Sequence, residues 1–512
     1  MYYMSEMNWK AEMPAFKEKT DEFFAGNLPM KDYKGFSGYY GSYSQKGGKA
    51  SMLRLRMPCG VVTKEKLAFV VEKMTAYGVK RSHFTTCQTI QLHDLTTDQL
   101  YPIMDAALDN DIIFIGGGGD FPRNVMCSPL SGVEQDEYFD VRPYAAKVSD
   151  YLLTKVKDKK MPRKLKVCFS NSRKNVPHAT FRDLGFAANE NGTFDVYCAG
   201  GLGNNPRFGV CVDHNVSPSD VLYYVEAMRK TFYAHGNYEN RAKARTRYMV
   251  EAVGGEEKFI EIFQENLKKV KETMDLSISV EPVTITKTGT GKAEGLFVIP
   301  QKQEGLYSYL YHPQGGCPSV DVLRALQEVI EDMQDVELRL SPDESCYIIN
   351  LTADEVEKVK AVLSDNATTV FETSVSCIGA STCQVGLRDS QALLAACIKA
   401  VKENDIAADA LPQMHVSGCP SSCGTHQIGS MGFRGHIKMV DKKPVSAFQL
   451  FIGGNDYQGN ETMGREAGII AETDIPSFVV ELGKTVTASH LSFDAWVKEN
   501  PDGIVAIAEK YF

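Results

Sequence analysis

The pattern of apolar and polar positions alternates between two periods along the chain. The segment KEKLAFVVEKMTAYG, residues 64–78, has apolar positions three or four residues apart, which is typical of an amphipathic helix. The segment QTIQLHDL, residues 88–95, alternates apolar and polar positions as a half-buried strand does. Helices and strands are therefore both expected, and the pattern predicts a mixed α+β protein.

A second copy of this pattern follows in the other half of the chain. The segment from Pro58 to Leu100 resembles the segment from Pro313 to Val356, and each predicts a turn, a helix, an alternating strand and a helix start with Thr and Asp. The interval from Leu67 to Leu95 equals that from Leu323 to Leu351. We expect a duplicated chain whose halves face each other across a shared cofactor.

Turn-rich composition suggests where the halves meet. The segment TKTGTGKAEG, residues 286–295, contains the glycine and threonine cluster that is typical of a linker. The expected division is an N-terminal arm (1–45), a first repeat (46–115), a first α/β domain (116–285), a second repeat (286–370) and a second α/β domain (371–512).

Composition and charge exclude several classes of protein. With 43% hydrophobic and 24% charged residues, the chain has the composition of an ordinary globular protein. A net charge of -9 is opposite in sign to the basic footprint of a nucleic-acid binder. No apolar run approaches the ~20 residues that span a bilayer, and the beginning lacks a secretory pattern, so a cytoplasmic protein without membrane partners is expected.

Four of the thirteen cysteines form two close pairs. Cys377 and Cys383 lie in SCIGASTCQVG, and Cys419 and Cys423 lie in SGCPSSCGTHQ. Four thiolates are the ligand set of a [4Fe-4S] cluster. Structural zinc is the alternative, but zinc ligand pairs are usually closer than Cys-x5-Cys. Pro420 is placed where a helix could begin, which would direct free amide groups at the thiolates.

Cationic residues form a second group of interest. Arg123 lies in DFPRNVMC, and Arg163, Lys164 and Lys166 lie in MPRKLKVCF. On a strand, Lys164 and Lys166 point to the same face, and two close ammonium groups lower each other's pKa and become better proton donors. The alternative is a solvated basic strand, just as the basic run at 240–247 is typical of a solvated helix face.

These motifs occur together and in order in one known family. MLRLRMPCG, FTTCQTIQLHDL, RNVMCSP, MPRKLK, NRAKARTRYMVE, CIGASTC, GCPSSCG and FIGGN each resemble a block of the sulfite and nitrite reductases that carry sirohaem joined to a [4Fe-4S] cluster. The resemblance implies a three-domain, pseudo-twofold duplicated architecture in which 46–115 and 286–370 are ferredoxin-like half domains. It also implies that 116–285 binds sirohaem and substrate.

The resemblance further implies roles for individual residues. Cys377, Cys383, Cys419 and Cys423 bind the cluster, and the sulfur of Cys423 is also the axial ligand of the sirohaem iron. Arg123, Lys164 and Lys166 hold the substrate anion and supply protons. The remaining contacts to the cofactor are assigned to Arg54, Arg56, Gln88, Gln91, Asn124, Arg163, Arg241 and Arg245.

One position departs from the family pattern. The family usually has arginine after the two threonines of FTTCQTIQ, where this chain has Cys87. Loss of a bidentate cation weakens anion binding or changes which anion is preferred, unless another cation compensates. Cys87 could also be a reactive thiol near the haem. The Lys-x-Lys pattern ending at Lys166 resembles the sulfite-reducing members.

The expected activity is the six-electron reduction of sulfite to sulfide. Nitrite reduction to ammonia on the same site is the alternative, and a substrate-inert electron-transfer or cofactor-storage protein is a second. A zinc-stapled structural protein is a third. Because no flavin or ferredoxin segment is visible, electrons are expected from a separate ferredoxin or flavoprotein subunit.

Overall fold

The computed structural model describes residues 7–512, which form four β-sheets and fourteen α-helices. Residues 1–6 of the expected arm lie outside the described residues. The rest of the arm contains α1 (Met13–Phe24) and α2 (Met30–Ser37), and Trp9 and Phe16 are buried against the first repeat. Within 7–512, no helix combines the length and apolar character that a bilayer crossing requires.

The first repeat is an antiparallel sheet covered by two helices. Strand β1 (Ser42–Ser44) lies at the end of the expected arm and pairs with β2 (Ser51–Arg56). The other elements are β3 (Val61–Val62), α3 (Lys64–Ala76), β4 (Ser82–Phe84), β5 (Thr89–Leu95) and α4 (Thr97–Asp109). The strand order is β1-β2-β5-β4. The helix and strand predicted from the sequence are thus confirmed as α3 and β5.

The first α/β domain follows as a five-stranded sheet. Its elements are β6 (Met126–Cys127), α5 (Arg142–Thr154), β7 (Val167–Ser170), β8 (Leu184–Ala188), β9 (Phe194–Cys198), β10 (Val210–Val216), α6 (Val221–His235), α7 (Met249–Ala252) and α8 (Glu256–Thr273). The order is β10-β9-β8-β7-β6, parallel from β6 to β8 and antiparallel beyond. The basic run 240–247 forms two short 3-10 turns, so the helix-face interpretation was wrong.

The second repeat reproduces the first. It contains β11 (Val298–Pro300), β12 (Tyr307–Tyr311), α9 (Val320–Ile330), β13 (Glu337–Leu340), β14 (Cys346–Leu351) and α10 (Ala353–Val362). Its sheet has the order β11-β12-β14-β13-β3, so a strand of the first repeat completes the sheet of the second. Thr96 and Thr352 each form a capping box at the start of α4 and α10.

Unusual backbone conformations recur at the same interval in both copies. Gln88 and Glu344 have φ of 53° and 67°, and Asp94 and Asn350 have φ of 60° and 63°. Left-handed conformations are uncommon for residues other than glycine. Their repetition at matching positions therefore supports duplication more strongly than the apolar pattern alone.

The second α/β domain has the strand pattern of the first. It comprises β15 (Val375–Ser376), α11 (Ser390–Lys402), β16 (Met414–Ser417), β17 (Met431–Val440), β18 (Lys443–Ile452), β19 (Arg465–Ala471), α12 (Ile475–Ser489), α13 (Phe493–Glu499) and α14 (Gly503–Ala508). Strands β15 to β17 are parallel and β17 to β19 antiparallel. Pro420 lies in a turn, and left-handed Ser422 and Thr425 break the helix that was expected there.

The two repeats share one hydrophobic core. Leu67 on α3 and Leu323 on α9, which occupy matching positions in the two copies, are both buried in it. Each α/β domain has a separate core of its own. The mixed α/β, pseudo-twofold fold expected from the sequence is confirmed. It brings the loop between β4 and β5 to the loop that follows β16, where Thr86 donates to the carbonyl of Cys423.

Candidate active site

Two lysines at the edge of the first α/β domain face the same side. Leu165 forms a parallel bridge with Pro122 and is buried, and Lys164 and Lys166 flank it as half-buried residues. The regular strand β7 begins only at Val167, later than the sequence pattern predicts. The alternation is nevertheless kept across the bridge, so both ammonium groups lie on the side away from Leu165.

The electrostatic surroundings favour loss of a proton from these lysines. Burial lowers the pKa of Lys164 well below its usual value, and the charges of Lys166, Arg245 and Arg123 lower it further. Burial also lowers the pKa of Lys166, while its contact with Cys87 partly opposes that change. An amine with a lowered pKa transfers a proton more readily near neutral pH.

Cys87 lies beside Lys166 and a second cation, Arg182. Burial raises the pKa of the Cys87 thiol, but the charges of Lys166 and Arg182 outweigh burial and lower it to about 6. Arg182 is buried and donates from Nε to the carbonyl of Pro177 at 3.1 Å. Sequence reasoning missed Arg182 because only the fold brings it next to position 87.

Two buried carboxylates hold the arginines of the site in place. Asp120 accepts hydrogen bonds from Arg163 at 2.9 Å and from Arg241 at 2.8 Å. Asp183 accepts two from Arg245, at 3.0 and 3.1 Å. Burial raises the pKa of Asp120, but its two arginines lower it more, so the carboxylate stays ionised and fixes both cations.

Some arginine donors have no partner within the protein. Arg123 donates from its two terminal nitrogens to the carbonyls of Gly117 and Gly119, at 2.6 and 2.8 Å, but its buried Nε has no hydrogen-bond partner within residues 7–512. The buried Nε of Arg245 and one terminal nitrogen of Arg247 are in the same state. Buried unsatisfied donors are rare, so their concentration here fits a large group that carries carboxylates, as sirohaem does.

The other side chains that were predicted to contact the cofactor donate mainly to backbone carbonyls. Gln88 donates to the carbonyl of Cys127 at 2.8 Å, and Asn124 donates to carbonyls at 2.8 to 3.1 Å. Arg56 is buried and donates to carbonyls at 2.9 to 3.3 Å. These side chains fix the loops around Arg123.

Arg54 and Gln91 lie next to each other on β2 and β5. Arg54 donates to the carbonyl of Gly117 at 2.5 Å. The Gln91 amide, with its oxygen towards Arg54, accepts from that guanidinium at 2.6 Å. The pair therefore supports the same glycine turn that Arg123 binds.

The four cysteines of the paired motifs follow two parallel neighbouring strands. Cys377 comes directly after β15 and Cys419 shortly after β16, and none of the four is in a disulfide. Because parallel strands present their carboxyl ends at one edge of a sheet, these loops meet. The Cys377 sulfur accepts a hydrogen bond from the amide of Gly418 at 3.2 Å, which joins the first loop to the second.

Cys423 interacts electrostatically with the other cysteines and with the lysines. Its side chain is exposed, and its carbonyl accepts a hydrogen bond from Thr86 at 3.1 Å. Burial of the surrounding site raises the pKa of the Cys423 thiol; Lys164 and Lys166 lower it, and neighbouring Cys419 raises it again. One sulfur thus interacts electrostatically with both groups of residues.

The spacing of the sulfurs distinguishes a cluster from a single ion. Within residues 7–512, no three of the four cysteine sulfurs lie within 4.8 Å of one another. A single tetrahedral zinc with bonds of about 2.3 Å needs sulfurs about 3.8 Å apart. The arrangement therefore does not suit one tetrahedral zinc ion, and four thiolates are the ligand set of a [4Fe-4S] cluster.

Comparisons with known proteins agree with this geometry. The family described as "Nitrite/Sulfite reductase ferredoxin-like half domain" matches residues 43–110 and 299–366, and "Nitrite and sulphite reductase 4Fe-4S domain" matches 118–271. Together the matches cover more than half of the chain, and the half domains coincide with the two repeats.

Similar proteins include three that are named nitrite reductases. The chloroplastic ferredoxin–nitrite reductase of Zea mays is 27% identical over 421 residues, covering 79% of this chain and 73% of its own. The ferredoxin–nitrite reductase of Synechococcus elongatus is 25% identical, covering 84% and 85%. The assimilatory ferredoxin-dependent nitrite reductase of Haloferax mediterranei is 23% identical, covering 97% and 90%.

A solved structure has the same fold. The NirA protein of Mycobacterium tuberculosis superimposes with a TM-score of 0.74 at 20% identity, covering 90% of this chain and 89% of its own. With both repeats matched and the same fold across nearly the whole length, the chain belongs to the sulfite/nitrite reductase family, whose cofactors are sirohaem and a [4Fe-4S] cluster.

Proposed function

We propose that this chain reduces nitrite to ammonia with six electrons from a ferredoxin, and that sulfite is its second substrate. The observation that carries the proposal is the surroundings of Cys423: its carbonyl accepts a hydrogen bond from Thr86 of the first repeat at 3.1 Å, and its sulfur interacts electrostatically with Cys419, Lys164 and Lys166. The names of the similar proteins support nitrite and a ferredoxin donor.

The cysteines would hold the cluster, and Cys423 would also ligate the sirohaem iron. Bound there, the joined cofactors supply an iron that binds the anion and single electrons that reduce it. Arg123 and the two lysines would bind the anion's oxygens through charge-assisted hydrogen bonds. Nitrite takes up six electrons and eight protons to give ammonium and two waters, so a proton source must lie beside the oxygens.

Lys164 would be the principal proton donor. Burial and the nearby cations lower the pKa of Lys164 well below its usual value, which favours release of a proton near neutral pH. Once it has released a proton, it can take another from solvent through its neighbour Lys166. Arg123 keeps its charge throughout and would hold the anion in place.

The unpartnered donors of Arg245 and Arg247 would bind carboxylates of sirohaem, and the unpartnered Nε of Arg123 would be left for the substrate anion. Arg163 and Arg241, already fixed by Asp120, would present their remaining donors to the same group. Arg54, Arg56, Gln88, Gln91 and Asn124 would act as positioning residues, since they mainly bind backbone carbonyls or one another. We also propose that the five-segment division of the chain describes its domains.

Arg182 would compensate for the arginine that is missing at position 87. It places a buried positive charge beside Cys87 and Lys166, which supplies a cation near the position where the family has arginine. Cys87 itself would tune that charge, because its thiolate neutralises part of it. The Lys-x-Lys arrangement supports sulfite as the second substrate.

The test is turnover of the purified holoprotein with reduced ferredoxin, followed by assays for ammonia and sulfide. We expect ammonia from nitrite, with a higher kcat/KM than sulfide from sulfite. A protein that carries both cofactors but reduces neither anion would contradict the proposal and favour the electron-transfer alternative. Reduced methyl viologen serves as the control donor, because it shows whether a failure lies in the active site or in the choice of ferredoxin.

A further inference from the structure

Three metal-binding side chains meet at the edge of the first α/β sheet, away from the active site. Asp195 lies on β9, and Cys211 and His214 lie on the edge strand β10. One donor atom from each lies within 4.8 Å of the other two. Strands β9 and β8 separate β10 from β7, so β10 lies about 14 Å and β9 about 10 Å from the strand that follows the active-site lysines.

An irregular strand brings the three donors together. Residues an odd number apart point to opposite faces of a regular strand, so Cys211 and His214 would normally diverge. The pairing of β10 with β9 shifts register between Cys211 and Asp213 and again between Asp213 and Val216. Such bulges redirect side chains, and here His214 returns to the side of Cys211.

Hydrogen bonds orient the carboxylate of Asp195 so that one of its oxygens lies next to His214. Its Oδ1 accepts from the side chain of Asn189 at 2.8 Å and from the amide of Asn215 at 3.2 Å. Its Oδ2 is 2.9 Å from Nδ1 of His214. Within residues 7–512, that imidazole is the ion-pair partner of Asp195, so no lysine or arginine neutralises the carboxylate.

The separations suit a tetrahedral transition metal. The Cys211 sulfur lies 3.6 and 3.7 Å from the two ring nitrogens of His214. Bonds of about 2.3 Å to sulfur and about 2.0 Å to nitrogen at a tetrahedral angle require about 3.5 Å between these ligands. The Asp195 oxygen and the His214 nitrogen would need to be about 3.3 Å apart, slightly farther than their present hydrogen-bonded distance of 2.9 Å.

We propose that Asp195, Cys211 and His214 form a Zn²⁺ site on the edge strand β10. A thiolate, an imidazole and a carboxylate are the ligand types that zinc uses, and the thiolate disfavours calcium and magnesium. The thiolate and carboxylate balance the charge of the ion. The His214 side chain is 68% exposed, which leaves the fourth position open to water.

Zinc content of the holoprotein tests this assignment. Wild type, Cys211→Ser and His214→Ala are stripped with a mild chelator, dialysed against Zn²⁺ and analysed for zinc and iron, and zinc affinity is measured by calorimetry. His490→Ala, which removes an exposed imidazole elsewhere, is the matched control. Iron content is compared across the set, because zinc in place of iron at the cluster cysteines would lower it.

The expected result is one zinc per wild-type and His490→Ala chain, with sulfur in its X-ray absorption shell and unchanged iron. Loss of an outer-shell partner alone costs about 10–100-fold in metal affinity, so each ligand variant should bind zinc about a hundredfold more weakly or worse. Equal zinc binding by wild type and both ligand variants would overturn the proposal, as would no zinc binding by wild type. Because His214 is exposed, His214→Ala folds even if Cys211→Ser does not.

Discussion

Replacing Asp183 by asparagine should loosen the sheet beneath the active-site lysines. The Asp183 carboxylate is buried and accepts from Arg245, from the hydroxyl of Thr246 and, at 2.8 Å, from the backbone amide of Lys166. Asparagine keeps the size but removes the charge, and its NH2 group meets donors on every side. Arg245 is then left as a partly buried charge without compensation.

The magnitude follows from these contacts. Breaking a buried ion pair by removing one partner costs about 3–5 kcal/mol, and asparagine keeps one acceptor oxygen, so we expect about 3 kcal/mol. Each 1.4 kcal/mol is about tenfold, so amides that exchange by local opening of this region should exchange on the order of a hundredfold faster. Hydrogen exchange followed by mass spectrometry measures this in peptides covering β7 and β8.

The control is Asp94→Asn, which removes a carboxylate from a bidentate pair with Arg81 at 2.8 and 2.9 Å. That pair is exposed, so its loss should cost less than about 1 kcal/mol. Peptides from β17 and β18, in the other α/β domain, should not change in either variant. Unchanged exchange in β7 and β8 of Asp183→Asn would refute the view that this carboxylate holds the site together.

The same carboxylate predicts a pH dependence. Burial raises the pKa of Asp183, but Arg245, Thr246 and the Lys166 amide together lower it below its usual value. A lowered folded-state pKa means that the stabilisation is present above about pH 4 and is lost as pH falls through the folded-state value. Protection of β7 and β8 should fall on acidification below pH 4 in wild type and change less in Asp183→Asn.

Other predictions concern the cluster loop and the choice of anion. In Gly424→Ala the new Cβ would lie 2.1 Å from the carbonyl of Val416, so iron per chain should fall, whereas Gly35→Ala, with nothing within 4 Å, should keep its iron. In Cys87→Ser the KM for nitrite at pH 7.5 should fall roughly tenfold, because the thiolate that forms above about pH 6 no longer neutralises Lys166; equal KM values at pH 7.5 would contradict this. Lys166→Asn should lower sulfite turnover more than nitrite turnover, and equal losses would count against a role in selectivity.

Local features of the fold were predictable from the sequence. Helix α3 and strand β5 follow from apolar periodicity, and the duplication follows from two matching segments. The helix expected at Pro420 was wrong because proline favours a first helical turn but cannot enforce one against the left-handed residues that follow. The solvated-helix alternative for the basic run 240–247 was wrong because Arg241 and Arg245 bind carboxylates that are distant in the sequence.

Long-range partners of the site were not predictable. Asp120, Asp183 and Arg182 carry no motif of their own. The arginines that Asp120 and Asp183 bind, and the Cys87 beside Arg182, come from segments about forty to more than a hundred residues away. The paired cysteines could be recognised because ligand spacing is written in the local sequence. The separation of the four cysteine sulfurs depends on how the two loops pack against each other, and this packing cannot be read from the local sequence.

In the proposed site, Cys423 would join an iron–sulfur cluster to sirohaem beside the two lysines. Metal and acid-labile sulfide analysis of the chain made in a sirohaem-producing host, combined with its optical spectrum, measures whether both cofactors are bound. About five irons and four sulfides per chain, with the sirohaem absorption bands, are predicted, and Cys423→Ser should lose the coupling between the two spectra. A colourless protein with zinc at these cysteines and no acid-labile sulfide would contradict the claim.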